Sequence, residues 1–208
     1  YVLCAMTNAQ NPHLQAVGAE TKRLLLPLLI IVAVMWGVEI IDRLLFHGAL
    51  DGLGILPRQV AGLRGIPIAP LLHGSFAHLM ANTLPFLALG FLVMLRHSRQ
   101  FVAVSLTIIL ISGLGTWLIA PAHTVHIGAS GLIFGYFGFL LAAAYTERSP
   151  RAIGLALIVI VFYGGLLWGA LPQDGPISWQ GHLFGLVGGA VAAWAFAPRP
   201  VQIRIHPQ

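Results

Sequence analysis

The chain has 208 residues, 58% of them hydrophobic and only 8% charged, with a mean hydropathy of +0.87. A soluble domain carries about a quarter charged residues, so this composition excludes a water-facing globule and indicates an integral membrane protein. The formal net charge of +5 and the pI of about 10.2 rest on eleven Lys and Arg scattered in short links, not on a clustered basic face, which argues against nucleic acid as a partner.

In chain order, residues 1–23 are polar and irregular, unlike a signal peptide, and are expected to form an N-terminal cytoplasmic segment. Cys4 is the single cysteine, so no intrachain disulfide can form. Six apolar segments of spanning length follow, at roughly 24–46, 75–95, 101–120, 129–146, 152–171 and 179–197. A tail over 198–208 ends the chain. The expected fold class is an all-α polytopic membrane protein, a six-transmembrane-helix bundle whose core runs over 24–197.

The links after the second and fourth segments are short and basic, Arg96-His97-Ser98-Arg99 and Glu147-Arg148-Ser149-Pro150-Arg151. Lys22 and Arg23 precede the first segment, and Arg199 and Arg204 follow the last. If both termini are cytoplasmic, only Arg43, Arg58 and Arg64 are left outside, as the positive-inside rule favours. The first outer link, residues 47–74, is long and itself apolar, holding Leu53, Ile55, Leu56, Val60, Leu63, Ile66 and Ile68. Such a link suits the membrane interface better than water. Trp117, Trp168 and Trp179 near outer ends, and Trp194 near the inner end, read as lipid anchors.

The fourth and sixth segments concentrate glycine. Gly131/Gly135 and Gly181/Gly185/Gly189 have the spacing that lets helix backbones approach closely in lipid. Packing of these two helices on each other would bring Ser130 towards His182.

Polar residues inside hydrocarbon are costly and therefore functional candidates. The second segment carries His78 and Asn82, with His73 just ahead of it; the fourth carries Ser130 and the sixth His182. At about 1.5 Å rise per residue, Ser130, His182 and His78 stand about 25, 24 and 27 Å from the cytoplasmic ends of their helices. All three therefore come out slightly below the outer boundary of a core about 30 Å thick. The shared level outweighs any one residue, since a lone Ser or His in a membrane helix is usually a packing group. Together they supply a hydroxyl, an imidazole base and further donors, which is what acyl transfer needs. Ser130 opens a helix, where unpaired N–H groups can stabilise an oxyanion. The polar residues His73, Ser75, His78, Asn82 and His126 are expected to line a wet cavity open to the outside.

These residues resemble the rhomboid intramembrane serine proteases. His73, His78 and Asn82 in HGSFAHLMAN match the histidines and asparagine of the family's second helix. Gly128-Ala129-Ser130-Gly131 matches its GxSG motif, and Gly181-His182-Leu183-Phe184-Gly185 its sixth-helix histidine. Leu63-Arg64-Gly65 stands where the family has its first-loop Arg, with Leu63 replacing a frequent Trp. The resemblance implies a Ser130–His182 dyad without an acidic member, and an oxyanion hole of Ser130 N–H, His78 and Asn82. Gly128 and Phe134 would lie at the substrate position, with Phe134 where many members stack a Tyr on the histidine. It also implies cleavage of transmembrane protein substrates near their outer ends, after a small residue, with membrane lipid as the surroundings and no metal or cofactor. Substrate would enter past the second and fifth helices, beneath the loop Pro172-Gln173-Asp174-Gly175-Pro176. The expected location is a bacterial inner (cell) membrane with both termini cytoplasmic.

Two alternatives stay open. A catalytically inactive rhomboid-like protein would bind membrane clients without cutting them, although such relatives typically lack the Ser or His that both stand here. A small transporter would find its best support in Glu39 and Asp42 of the first helix, but the sequence has no inverted repeats.

Overall fold

A computed structural model describes residues 12–175 and 177–196. Arg199, Arg204 and the tail 198–208 lie outside the described residues, as do the first eleven positions, Pro176 and Ala197. Among the described residues, six helices of fourteen residues or more form an all-α bundle: α1 Pro12–Ile41, α2 Phe76–His97, α3 Phe101–Ile119, α4 Ser130–Glu147, α5 Pro150–Tyr163 and α6 Trp179–Phe196. Three stretches, Leu14–Phe46, Phe76–His97 and Phe101–Ile119, are long and apolar enough to cross a membrane by length and composition.

The second, third, fourth and sixth expected segments fall within a residue or two of α2, α3, α4 and α6. The first and fifth differ. α1 is already helical at Pro12, the first described residue, well ahead of residue 24, because Leu14, Gln15, Ala16, Ala19, Glu20, Lys22 and Arg23 outweigh Val17, Gly18 and Thr21. The former are good helix formers, so the helix continues past the apolar run that hydropathy detects. The fifth segment stops at Tyr163. After Gly164-Gly165 a separate short helix, Leu166–Gly169, replaces the expected last turns.

α4 is the hub. Every residue from Leu132 to Leu140 is buried, as expected of a helix that is apolar all round. It packs most extensively on α6, and also on α5, α2 and α3. The close approach of α4 and α6 depends on glycine: a Cβ at Gly185 would stand 2.4 Å from the Gly131 carbonyl oxygen, and one at Gly189 2.0 Å from that of Gly135. Tyr136, fully buried on α4, shares a 2.8 Å hydrogen bond with Ser105 Oγ of α3. The outer surface carries exposed Leu29, Ile30 and Val34 on α1, Leu106 and Leu110 on α3, and Val161 and Phe162 on α5. This lipid-like coat and the long apolar helices make the chain a multi-pass membrane protein.

The link over residues 47–74 does more than float in an interface. Ile55 and Ile66 are buried against Ile109 and Trp117 of α3, while Val60 and Leu63 stay exposed. Trp117 therefore anchors protein to protein, its Nε1 donating to the Gln59 carbonyl at 2.8 Å, whereas Trp168 and Trp194 remain exposed at the surface. Arg58 Nη1 donates to the carbonyls of Leu118 and Ala120 at 3.0 and 2.8 Å, capping the end of α3. Ile55 and His126 form an isolated antiparallel bridge, each N–H donating to the other's carbonyl at 3.0 Å. Gly128 N–H donates to the Ala69 carbonyl at 2.8 Å. The link thus holds the backbone that leads into Ser130.

α1 ends in a π-helical turn, Asp42–Phe46, closed by left-handed His47 and Gly48. In the loop that follows, burial and the nearby Asp42 carboxylate raise the Asp51 pKa to about 6. A carboxylate whose folded pKa lies above its unfolded value near 3.9 binds more protons when folded. The stability it contributes is present below the unfolded pKa and lost as pH rises through about 6. In buffer free of divalent cations, the thermal midpoint should therefore fall between pH 4.5 and 7 by more in the wild type than in Asp51→Asn. Equal slopes would remove Asp51 as the titrating group.

Candidate active site

Four parts of the chain converge at the N-terminal end of α4. Ser130 is its first residue, and no side chain caps this helix, so the N–H groups of its first turn remain available. His182 stands in the first turn of α6. The α4–α6 packing brings His182 Nε2 to 2.9 Å from Ser130 Oγ. His182 is 8% exposed.

The other ring nitrogen fixes the tautomer. His182 Nδ1 lies 2.9 Å from the Gly169 carbonyl oxygen. A carbonyl can only accept, so Nδ1 carries the proton and neutral Nε2 is the acceptor towards the Ser130 hydroxyl. Phe134, one turn after Ser130, stacks on the His182 ring with centroids 3.9 Å apart and planes 10° from parallel. The imidazole is thus held on a face, at one nitrogen and at the other. Gly169 was not legible in the sequence, because a main-chain acceptor leaves no side-chain signal; only the Gly164-Gly165 break foreshadowed the short helix that delivers it.

On the other side of the GxSG turn, Gly128 adopts φ +110°, a conformation that suits glycine. A Cβ there would meet His78 Nε2 at 2.8 Å and Asn82 Nδ2 at 3.4 Å. His78 and Asn82 therefore present nitrogens against the turn that precedes Ser130. Asn82 is 7% exposed, and its Nδ2 has no hydrogen-bond partner among the described residues. Ser75 caps α2 by accepting from His78 N–H at 3.1 Å. His73, buried, accepts from Ala129 N–H at 3.4 Å and packs edge-on against the His78 ring.

The cavity beside Ser130 differs from the expected one. Its volume is about 40 Å³, and its polar wall includes Ser112 and Thr116 of α3, with His126 and Ser178. Of the five residues expected to line it, only His126 does. The others miss it for different reasons: His73 is consumed in packing, Ser75 in capping, and His78 and Asn82 face Gly128. Ser112 and Thr116 were missed, although two small polar residues four apart in an apolar run place both on one helix face. Ser112 Oγ donates to the Gly181 carbonyl at 2.8 Å. His126 Nδ1 lies 2.7 Å from Ser178 Oγ, linking the segment before Ser130 to the residue just ahead of α6. Arg64 is exposed and takes no part in this group. Pro172–Gly175 lie exposed ahead of α6, with Gly175 at φ +126°.

Comparison with known proteins agrees with this architecture. The family model described as Rhomboid domain matches residues 62–199. A Mycobacterium tuberculosis protein, Rv1337, is 47% identical over 175 residues, covering 80% of this chain and 72% of that protein. A Mycobacterium leprae protein, ML1171, is 42% identical over 176 residues, covering 80% and 69%. Rhomboid protease GluP of Bacillus subtilis is 34% identical over 128 residues, covering 60% of this chain and 24% of its own length.

Proposed function

We propose that this chain, which belongs to the rhomboid family, is an intramembrane serine endopeptidase that cuts transmembrane protein substrates near their outer ends. The observation that carries the reading is the 2.9 Å contact between His182 Nε2 and Ser130 Oγ, with Nδ1 tied to a carbonyl. In this tautomer His182 takes the Ser130 proton as the oxygen attacks the scissile carbonyl. The developing oxyanion is received by Asn82 Nδ2, His78 Nε2 and the Ser130 N–H, around a turn that glycine at 128 keeps open. His182 then protonates the leaving amine, and water releases the acyl group by the reverse sequence.

The imidazolium formed during attack faces the Gly169 carbonyl dipole and the Phe134 ring, which replace the acidic member of a triad. The cavity of about 40 Å³ beside Ser130 has room for about two waters, or for a short side chain before the scissile bond. We place the six-helix domain at 24–197, with lateral substrate entry past α2 and α5 and both ends in the cytoplasm of a bacterial cell.

The test is cleavage in proteoliposomes of a transmembrane substrate with a small residue near its outer end. Mass spectrometry should map the cut beside that residue, and Ser130→Ala should leave the substrate intact. A chain that binds the substrate yet never cuts it would favour the client-binding alternative. Asn82→Ala should lower kcat by about 10²–10³-fold with little change in KM, because an oxyanion donor acts mainly in the transition state. A change confined to KM would remove Asn82 from the hole.

A further inference from the structure

Three carboxylates gather where α1 meets the first outer loop, apart from the Ser130–His182 pair. Glu39 belongs to the last turns of α1, Asp42 to the π-helical turn after it, and Asp51 to the 3-10 turn Ala49–Leu53. One oxygen from each lies within 4.8 Å of the others. Glu39 and Asp42 are each 1% exposed. The guanidinium of Arg43 borders the group: Nε donates to Glu39 Oε1 at 2.8 Å and Nη2 to Asp51 Oδ2 at 3.5 Å. Three carboxylates against this one cation leave negative charge uncompensated.

The second sign is separate from the clustering. Asp42 Oδ1 accepts from Leu50 N–H at 3.0 Å, but its Oδ2 is sealed from solvent with no hydrogen-bond partner among the described residues. Asp51 Oδ1 is in the same state. A buried carboxylate oxygen left without a partner is costly, and proteins usually meet that cost with a proton, a donor or a metal.

We propose that Glu39, Asp42 and Asp51 bind a divalent cation, and that the site prefers Ca²⁺ to Mg²⁺. An all-carboxylate donor set suits hard cations. Ca²⁺ holds oxygens at about 2.3–2.6 Å, so ligands on one ion can stand up to about 5 Å apart; Mg²⁺ at about 2.0–2.1 Å allows about 4 Å. Oxygens within 4.8 Å of one another fit around Ca²⁺, whose coordination is flexible in number and geometry, whereas Mg²⁺ demands a near-ideal octahedron and gives up its waters reluctantly. Such an ion ties the end of α1 to the first loop. Asp51 Oδ2 also lies 3.9 Å from the position a Cβ would take at Gly74, between His73 and the α2 cap Ser75. Binding would therefore steady the entrance to the helix that carries His78 and Asn82.

The test uses the full chain purified in detergent, stripped with chelator, and titrated with CaCl₂ or MgCl₂ at constant ionic strength. Calcium should raise the thermal midpoint saturably, by about 5 °C at a hundredfold excess over Kd, and magnesium by clearly less. Tb³⁺ luminescence should report direct occupancy, displaced by Ca²⁺. Asp51→Asn should abolish both signals; Asp42→Asn provides a second variant should the first fold poorly. No midpoint shift in the wild type, or an equal shift in both variants, overturns the site. An equal response to magnesium overturns the calcium preference. A midpoint that follows pH but ignores calcium means that protons neutralise the cluster, and also overturns it. None of these readouts depends on proteolysis, so failure here is distinct from failure of the protease reading.

Discussion

Replacement of His182 by alanine is expected to lower kcat by at least about 10⁴-fold, with little change in KM. Loss of the imidazole leaves Ser130 as an ordinary hydroxyl, which is a poor nucleophile at neutral pH. The residual rate then comes from the oxyanion donors and from binding alone. The same exchange removes the ring on which Phe134 stacks, so folding must be checked by the thermal midpoint in detergent. Ser130→Ala should cost a similar factor, and the double variant no more than either single one, because the two groups act as a unit. Steady-state cleavage of a transmembrane substrate by all three variants measures this. Additive losses would mean that Ser130 and His182 do not share one proton transfer.

The second large effect is structural. Gly189→Ala should destabilise the fold by about 3 kcal/mol or more, because its Cβ would stand 2.0 Å from the Gly135 carbonyl oxygen and 2.6 Å from Phe139 N. Both are backbone atoms of α4, so no side chain can swing aside. α6 would have to move away from α4, and the 2.9 Å contact between His182 and Ser130 lies along that same pair of helices. Activity should fall together with the thermal midpoint. Gly154→Ala is the control, since nothing lies within 4 Å of a Cβ there; it should fold and cut like the wild type. A Gly189→Ala protein with an unchanged midpoint would contradict the α4–α6 packing.

The sequence exposes those parts of the site that rest on side chains in apolar surroundings. Ser130, His182, His78 and Asn82 stand out because hydrocarbon makes polar groups conspicuous, and the helical rise sets the first three at one level with Asn82 about one turn deeper. Gly131, Gly135, Gly185 and Gly189 likewise signal a close helix pair, and the structure places that pair at the centre of the bundle. What escapes is written in backbone or in breaks of periodicity. The Gly169 carbonyl, which fixes the His182 tautomer, has no side-chain mark. The break after Tyr163 sits inside an apolar run that hydropathy reads as continuous. Hydropathy also begins the first segment near residue 24, whereas α1 is already helical at Pro12, through a polar stretch rich in helix-forming residues. In the first loop, apolar residues are compatible with both lipid and protein contact. Only the fold separates buried Ile55 and Ile66 from exposed Val60 and Leu63.

The most direct test of the central claim is covalent labelling of the detergent-purified chain with a fluorophosphonate probe, with the adduct located by mass spectrometry. An activated serine should react at Ser130 alone, and Ser130→Ala and His182→Ala should remain unlabelled although folded. An unlabelled wild type that also fails to cut any transmembrane substrate, or labelling that survives His182→Ala, would contradict the account of Ser130 as a nucleophile activated by His182.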